Sequence, residues 1–243
     1  MSGDIVLSKE ETMLFVKSIK LCFIILFIFI CSSSLFALNS GDIILSPGVG
    51  VGTVLGNSST YPGAELSQIV GDNTAWQDGK TEISTGAIFG VGFDYLITNH
   101  LALSTGLYYE YLPYKVVWPA GTYRYDYSVM MNFYYLTMPV GIRCYLGYIM
   151  VGGGVYFSLS TSIDSHRSIG PFKDNSYLGK SNTMGFYVDA GLNFDVAGNN
   201  LLLIFVKYRH DLINAYSVES NSNLINDVEL KAITLHLACG III

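Results

Sequence analysis

Between residues 81 and 95 the chain alternates strictly. Ile83, Thr85, Ala87, Phe89, Val91, Phe93 and Tyr95 form one row, almost wholly apolar. Glu82, Ser84, Gly86, Ile88, Gly90, Gly92 and Asp94 form the other, mostly small, with a carboxylate near each end. Period-two alternation predicts a β-strand with two unlike faces. In a water-soluble sheet the polar face meets solvent. Here that face is rich in glycine, which weakens a strand interior and leaves nothing to solvate.

The pattern recurs at 41–56, 101–112, 133–146, 148–160, 183–196, 201–212 and 232–243. Each time a large apolar row opposes a row of glycine, small polar residues and isolated charges. Arg143 stands opposite Ile142 and Cys144, Asp189 opposite Val188 and Ala190, and Lys207 opposite Val206 and Tyr208. Three connections are tight, around 98–100, 146–147 and 197–200. Four are long and polar, at 57–81, 113–127, 161–181 and 214–227. Short and long connections alternate, and both ends of the array lie beside the short ones. These eight segments, each long enough to cross a bilayer when tilted, predict an all-β, eight-stranded antiparallel up-and-down transmembrane β-barrel. Closure removes the strand edges that lipid does not tolerate.

Composition agrees. Of 243 residues 51% are hydrophobic and only 13% charged, about half the charged share of a typical soluble domain. Beyond residue 40 no apolar run is long enough for a membrane helix. The concentrated apolar stretch lies earlier. Lys17 and Lys20 precede the apolar core Leu21 to Cys31, which leads into a small-residue region ending at Ala37. This is the layout of a secretory signal peptide. Residues 1–37 are therefore expected to be a signal region, with Met13 as an alternative start, and 38–243 the barrel domain. An uncleaved anchor is disfavoured by the short core, and a lipoprotein at Cys31 by the bulky Ile30. Residues 38–243 keep 10 basic and 16 acidic residues, a net −6 that argues against a nucleic-acid partner. Cys144 and Cys239 are read as small hydrophobes rather than a disulfide.

In a barrel, the apolar rows face lipid and the glycine-and-charge rows face the lumen, which is only wide enough for side chains to fill it. A luminal charge network is expected from Glu82, Asp94, Glu110, Arg143, Asp189, Asp195, Lys207, Arg209 and Asp211, with His236 beside Thr234. Most of these charges should be paired or water-bridged, because unpaired charge in so confined a space is costly. Tyr108, Tyr109, Tyr111, Tyr114, Phe133, Tyr134 and Tyr135 are expected in aromatic girdles near strand ends. A soluble lipocalin-like barrel would instead keep its apolar rows inside.

Residues 134–159, "YYLTMPVGIRCYLGYIMVGGGVYFSL", resemble the middle hairpin of small bacterial barrels of the outer membrane protein β-barrel domain family, to which outer membrane protein W- and X-like barrels are related. Tyr135, Leu136, Pro139, Arg143 and Gly152 to Gly154 match; Thr137 replaces the usual acid. Lys207–Tyr208 is similar to the core of the family's seventh strand. Ile243 stands where such barrels usually end in Phe. The resemblance implies a monomer in bacterial outer-membrane lipid, inserted by the barrel assembly machinery. Its four long connections would meet a host or environmental ligand.

Chemical signatures are thin. "GVGVG" and "GGG" lack the spacing and the following helix of a phosphate loop, and no Gly-x-Ser-x-Gly, His-Glu-x-x-His or Cys-x-x-Cys occurs. The resemblance includes lipid-modifying relatives with a Ser–His pair. Ser165–His166 is the one adjacent pair of those types, and it reads as solvated loop. His100 reads as a turn residue and His210 as a rim residue. His236 has no partner at ligand spacing in its strand, so a hydrogen-bonded interior histidine is expected. No catalytic residue, metal or cofactor is assigned. The expected function is a non-enzymatic barrel serving envelope integrity, adhesion or environmental contact. The alternative is a narrow channel or transporter for ions or small hydrophobic molecules.

Overall fold

The computed structural model describes residues 38–60, 79–119, 126–169, 172–179, 181–197, 199–215 and 225–243. Ten strands appear: β1 (Ile43–Thr60), β2 (Lys80–Glu82), β3 (Ser84–Leu96), β4 (Leu101–Trp118), β5 (Tyr127–Leu146), β6 (Ile149–Ile169), β7 (Phe172–Gly179), β8 (Thr183–Ala197), β9 (Asn200–Asp211) and β10 (Ile225–Ile242). β2 prolongs the line of β3 along β4, and β7 prolongs that of β8 along β6. The wall therefore has eight staves, all antiparallel. β1 pairs with both β3 and β10, so the sheet closes.

The tight turns are explained locally. Leu146 faces Ile149 across a two-residue turn in which Gly147 takes φ 65°, a left-handed conformation that favours glycine. At the β3–β4 turn the Thr98 hydroxyl accepts hydrogen bonds from the backbone N–H of His100 and Leu101. His100 thus lies in a turn. The first described residues sit at this same end: Ser40 donates to the carbonyl of Ile97, and Ile43 and Ile243 exchange backbone hydrogen bonds.

Alternation decides what faces out. Val49, Leu103, Val140, Ile149, Val188 and Leu235 are each at least half exposed, while Asp94, Glu110, Arg143, Asp189, Lys207 and Arg209 are buried. In water such a continuous apolar surface would be untenable; in hydrocarbon it is the required surface. On β6 the outward apolar row runs from Ile149 to Leu159. Ten steps of about 3.3 Å, tilted by about 40°, span about 25 Å, the height of a lipid-facing belt. Above it the outward row turns polar at Asn132 and Asp164. The barrel crosses the membrane on its strands. Among the described residues there is no helix long and apolar enough to cross it.

The strands run further than the alternation indicated. β4 continues to Trp118, β5 begins at Tyr127, and β6 continues to Ile169, so strand takes up 113–118 of the expected loop 113–127, whose residues 120–125 lie outside the described residues, and most of the expected loop 161–181. A bulge at Thr161 sets Tyr134 opposite Ser162 but Tyr135 opposite Ser160. It reverses the parity of β6, turning Ile163 and Ser165 inward. Above the belt the inward rows are apolar: Leu112, Tyr114, Val116 and Trp118 on β4, and Val129, Met131, Phe133 and Tyr135 on β5. Tyr108, Tyr114, Phe133 and Tyr135 are thus luminal, which corrects their assignment to a girdle. Tyr109, Tyr111 and Tyr134 do face outward, in tilted ring contacts at 5.2–6.5 Å that Phe89 joins.

Candidate functional site

The lumen has three layers. At the short-turn end Ile44, Leu96, Tyr145, Met150, Leu203 and Phe205 form an apolar floor. At the long-loop end lies the apolar and aromatic group just described. Between them sit the charges. Rows of glycine and charge alone do not fill the interior: the inward row of β9 reads Leu201, Leu203, Phe205, Lys207, Arg209, changing from apolar to basic along one face.

Two arginines organise the charged layer. Arg143 of β5 reaches across to Asp94 of β3 at 2.7 Å and to Asp189 of β8 at 2.8 Å, and the Tyr145 hydroxyl donates to Asp94 at 2.5 Å. Arg209 of β9 pairs with Glu110 of β4 and, at 2.9 Å, with Asp211. The Tyr156 hydroxyl donates to Asp211, and that of Thr137 donates to Glu110 at 2.8 Å. Each clamp therefore ties strands on different sides of the wall. All these side chains are nearly inaccessible, so removing one partner would leave a buried uncompensated charge.

Lys207 lies between the clamps and has no carboxylate within ion-pair distance among the described residues. Its ammonium sits over the rings of Tyr108 at 4.8 Å and Tyr187 at 5.0 Å, a cation–π cage. Arg209 lies over Tyr156 at 4.2 Å. His236 stacks on Phe205 at 4.7 Å, and its Nε2 is 2.7 Å from the Thr234 hydroxyl.

The glycines make room for rings as much as for charges. A Cβ at Gly50 would stand 2.9 Å from the His236 ring, and one at Gly92 would stand 2.7 Å from the Tyr108 hydroxyl. A Cβ at Gly152 would come within 2.6 Å of an Asp189 carboxylate oxygen. Beside Lys207 a cavity of about 10 Å³ remains, bordered by Glu110, Thr137, Tyr156 and Arg209. That is room for one water molecule.

Two expected members stand apart. Glu82 is exposed on β2, paired with Lys115 at 2.6 Å, and is not luminal. Its row leaves the barrel interior where the β2–β3 line breaks at Ile83. Asp195 is half-buried near the short-turn end and joins no ion pair among the described residues. Ser165 and His166 lie on β6 rather than in a loop: Ser165 is buried in the lumen and His166 points outward. Strand geometry separates them, so they cannot act as a nucleophile and its base. Among the described residues no group of acidic, histidine or cysteine side chains could hold a metal. What sequence reasoning missed is the set of rings around Lys207 and Arg209. Tyr108, Tyr156 and Tyr187 share the parity of Glu110, Ser158 and Asp189, which was the available signal.

No protein-family model matches the chain, and no curated protein is similar to it. Solved structures are similar at low identity. Ail, the attachment invasion locus protein of Yersinia pestis, is 12% identical with a TM-score of 0.40, the match covering 84% of this chain and 99% of that one. The outer membrane protein OprG from Pseudomonas aeruginosa is 11% identical with a TM-score of 0.43, covering 85% and 98%. Neisserial surface protein A is 14% identical with a TM-score of 0.34, covering 82% and 96%. The chain's own geometry, a closed eight-stave antiparallel wall with an apolar belt, is that of a bacterial outer-membrane barrel.

Proposed function

We propose that the protein is a sealed, non-enzymatic surface barrel of the outer membrane. Its body contributes to envelope integrity, and its segments at the long-loop end meet the environment. The observation that carries this reading is the filling of the lumen. Apolar layers stand at both ends, and between them two arginine clamps span the barrel, leaving about 10 Å³ beside Lys207. An ion crossing such a layer would need to displace paired buried charges, each costing several kcal/mol to uncover. The separation of Ser165 from His166 speaks for a non-enzymatic role.

The barrel refolded into planar bilayers is expected to be electrically silent. Steady, resolvable single-channel steps would contradict the sealed lumen and support a narrow channel instead, with Lys207 and the two arginines along its path.

A further inference from the structure

The outward rows of the belt are apolar, and in one place a side chain is missing from them. Among the described strand glycines, Gly153 alone stands on an outward row of the belt; the others face the lumen. Its cross-strand neighbours are Ile142 on β5 and Val188 on β8, both about half exposed. Two residues lower, Val151 lies between the small Cys144 and Ala190; two residues higher, Val155 lies between Val140 and Phe186. The gap at Gly153, continued by Cys144, opens a groove of about 520 Å³ in the outer wall. That falls within the roughly 300–1,000 Å³ of small-molecule sites. Its sides are Ile142, Cys144, Val151, Phe186 and Val188, and its bottom is the backbone from Gly152 to Gly154. None of those side chains carries a nitrogen or an oxygen.

Exposed apolar residues flank Gly153 along its own row, Ile149 and Val151 below it and Val155, Phe157 and Leu159 above it. The groove is therefore inside the hydrocarbon wherever the edges of the belt fall. Four steps of about 3.3 Å at about 40° of tilt put Gly153 about 10 Å above Ile149, nearer the short-turn side.

We propose that this groove holds one acyl chain of a phospholipid in the leaflet at the short-turn end. Inside hydrocarbon, apolar burial supplies no driving force, so van der Waals fit selects the occupant. A chain lying over Gly153 touches protein on its sides as well as beneath. Elsewhere on the wall it touches protein on one side alone. Each added carbon contact contributes about 0.1–0.2 kcal/mol. A second copy of the barrel fits less well, because two convex walls meet along a narrow strip and leave the bottom of the groove unfilled. A flexible chain follows it.

The test is photocrosslinking in nanodiscs that hold one barrel each, with a phospholipid carrying a diazirine at mid-chain. Cys144 and Cys239 are replaced by alanine, so that thiols do not bias insertion. Adducts around Gly153 are expected to exceed those around the Val49–Leu237 pair, on the opposite side of the wall, at least about threefold, the scale of a few added contacts. Gly153→Leu, and separately Cys144→Phe, should each bring that excess down to the level of the opposite side. A Cβ at Gly153 would stand 3.1 Å from the Tyr187 carbonyl oxygen, whereas Cys144→Phe fills the groove from β5. Should Gly153→Leu fail to fold, as judged by heat-shifted gel mobility, Cys144→Phe decides alone. Adducts spread evenly around the wall, or an excess that survives filling, would overturn the site. With the diazirine moved beside the glycerol, the excess should shift toward Ile149; a shift toward Leu159 would overturn the choice of leaflet. Loss of the excess in vesicles crowded with barrel would assign the groove to a second copy and overturn the acyl chain.

Discussion

At the scale of single residues, one-sided changes in the charged layer are the costly ones, and their logic is asymmetric. Arg143→Met removes a cation and leaves Asp94 and Asp189 facing each other's buried charge. Breaking such a pair on one side costs about 3–5 kcal/mol. The unfolding midpoint of the refolded barrel in urea should therefore fall sharply. Replacing Asp94 and Asp189 by Leu in the same variant should restore much of the loss, and a triple variant as unstable as the single one would contradict this account. Glycine positions give a second residue-level expectation. The Gly50 site is occupied by the His236 ring, so Gly50→Val should destabilise by about 1–3 kcal/mol through overpacking. Adding His236→Ala should recover stability, giving a coupling of at least about 0.5 kcal/mol in a double-mutant cycle. Strictly additive effects would show that the two positions do not share space.

At the scale of strands, the hydrophobic phase does different work at different heights. On β5 the even-numbered residues Leu136, Met138, Val140 and Ile142 are the lipid-facing row, whereas from Tyr135 up to Tyr127 the odd-numbered ones are apolar and buried inside. Within the membrane apolar means outward; above it, where water surrounds the wall, apolar means inward. That reversal explains why the membrane staves could be read from alternation while their extracellular halves could not. A pattern that changes phase around Phe133–Tyr134–Tyr135 looks like the end of a strand. The bulge at Thr161 was equally hidden, since one extra residue leaves no compositional trace. Parity puts Asp94, Glu110, Arg143, Asp189, Lys207, Arg209 and Asp211 on buried rows, but Glu82 is exposed and Asp195 joins no ion pair among the described residues. The pairings were not legible, because Arg143 finds Asp94 and Asp189 from strands 49 and 46 residues away. Val140→Arg tests the belt itself. Arginine at the bilayer midplane costs about 2–4 kcal/mol, whereas the same change at Ser128, above the belt, should cost much less. Equal effects at the two positions would argue against lipid around Val140.

The whole molecule has one orientation: an inside-out barrel through the membrane, with lipid on the large apolar rows and a closed, filled interior. The most direct measurement is a spin-label scan of β6. Single cysteines are placed at each position from residue 149 to 159 except Gly152 and Gly154, where a side chain would meet Asp189 or the Val140 carbonyl, in protein whose native cysteines have been replaced. After reconstitution into vesicles, collision with oxygen, which concentrates in hydrocarbon, is compared with collision with a water-soluble nickel chelate. Labels at 149, 151, 153, 155, 157 and 159 are expected to show high oxygen accessibility, and those at 150, 156 and 158 low accessibility to both reagents. High oxygen accessibility at the even positions, nickel accessibility at them, or no alternation along the strand would contradict the sealed inside-out barrel.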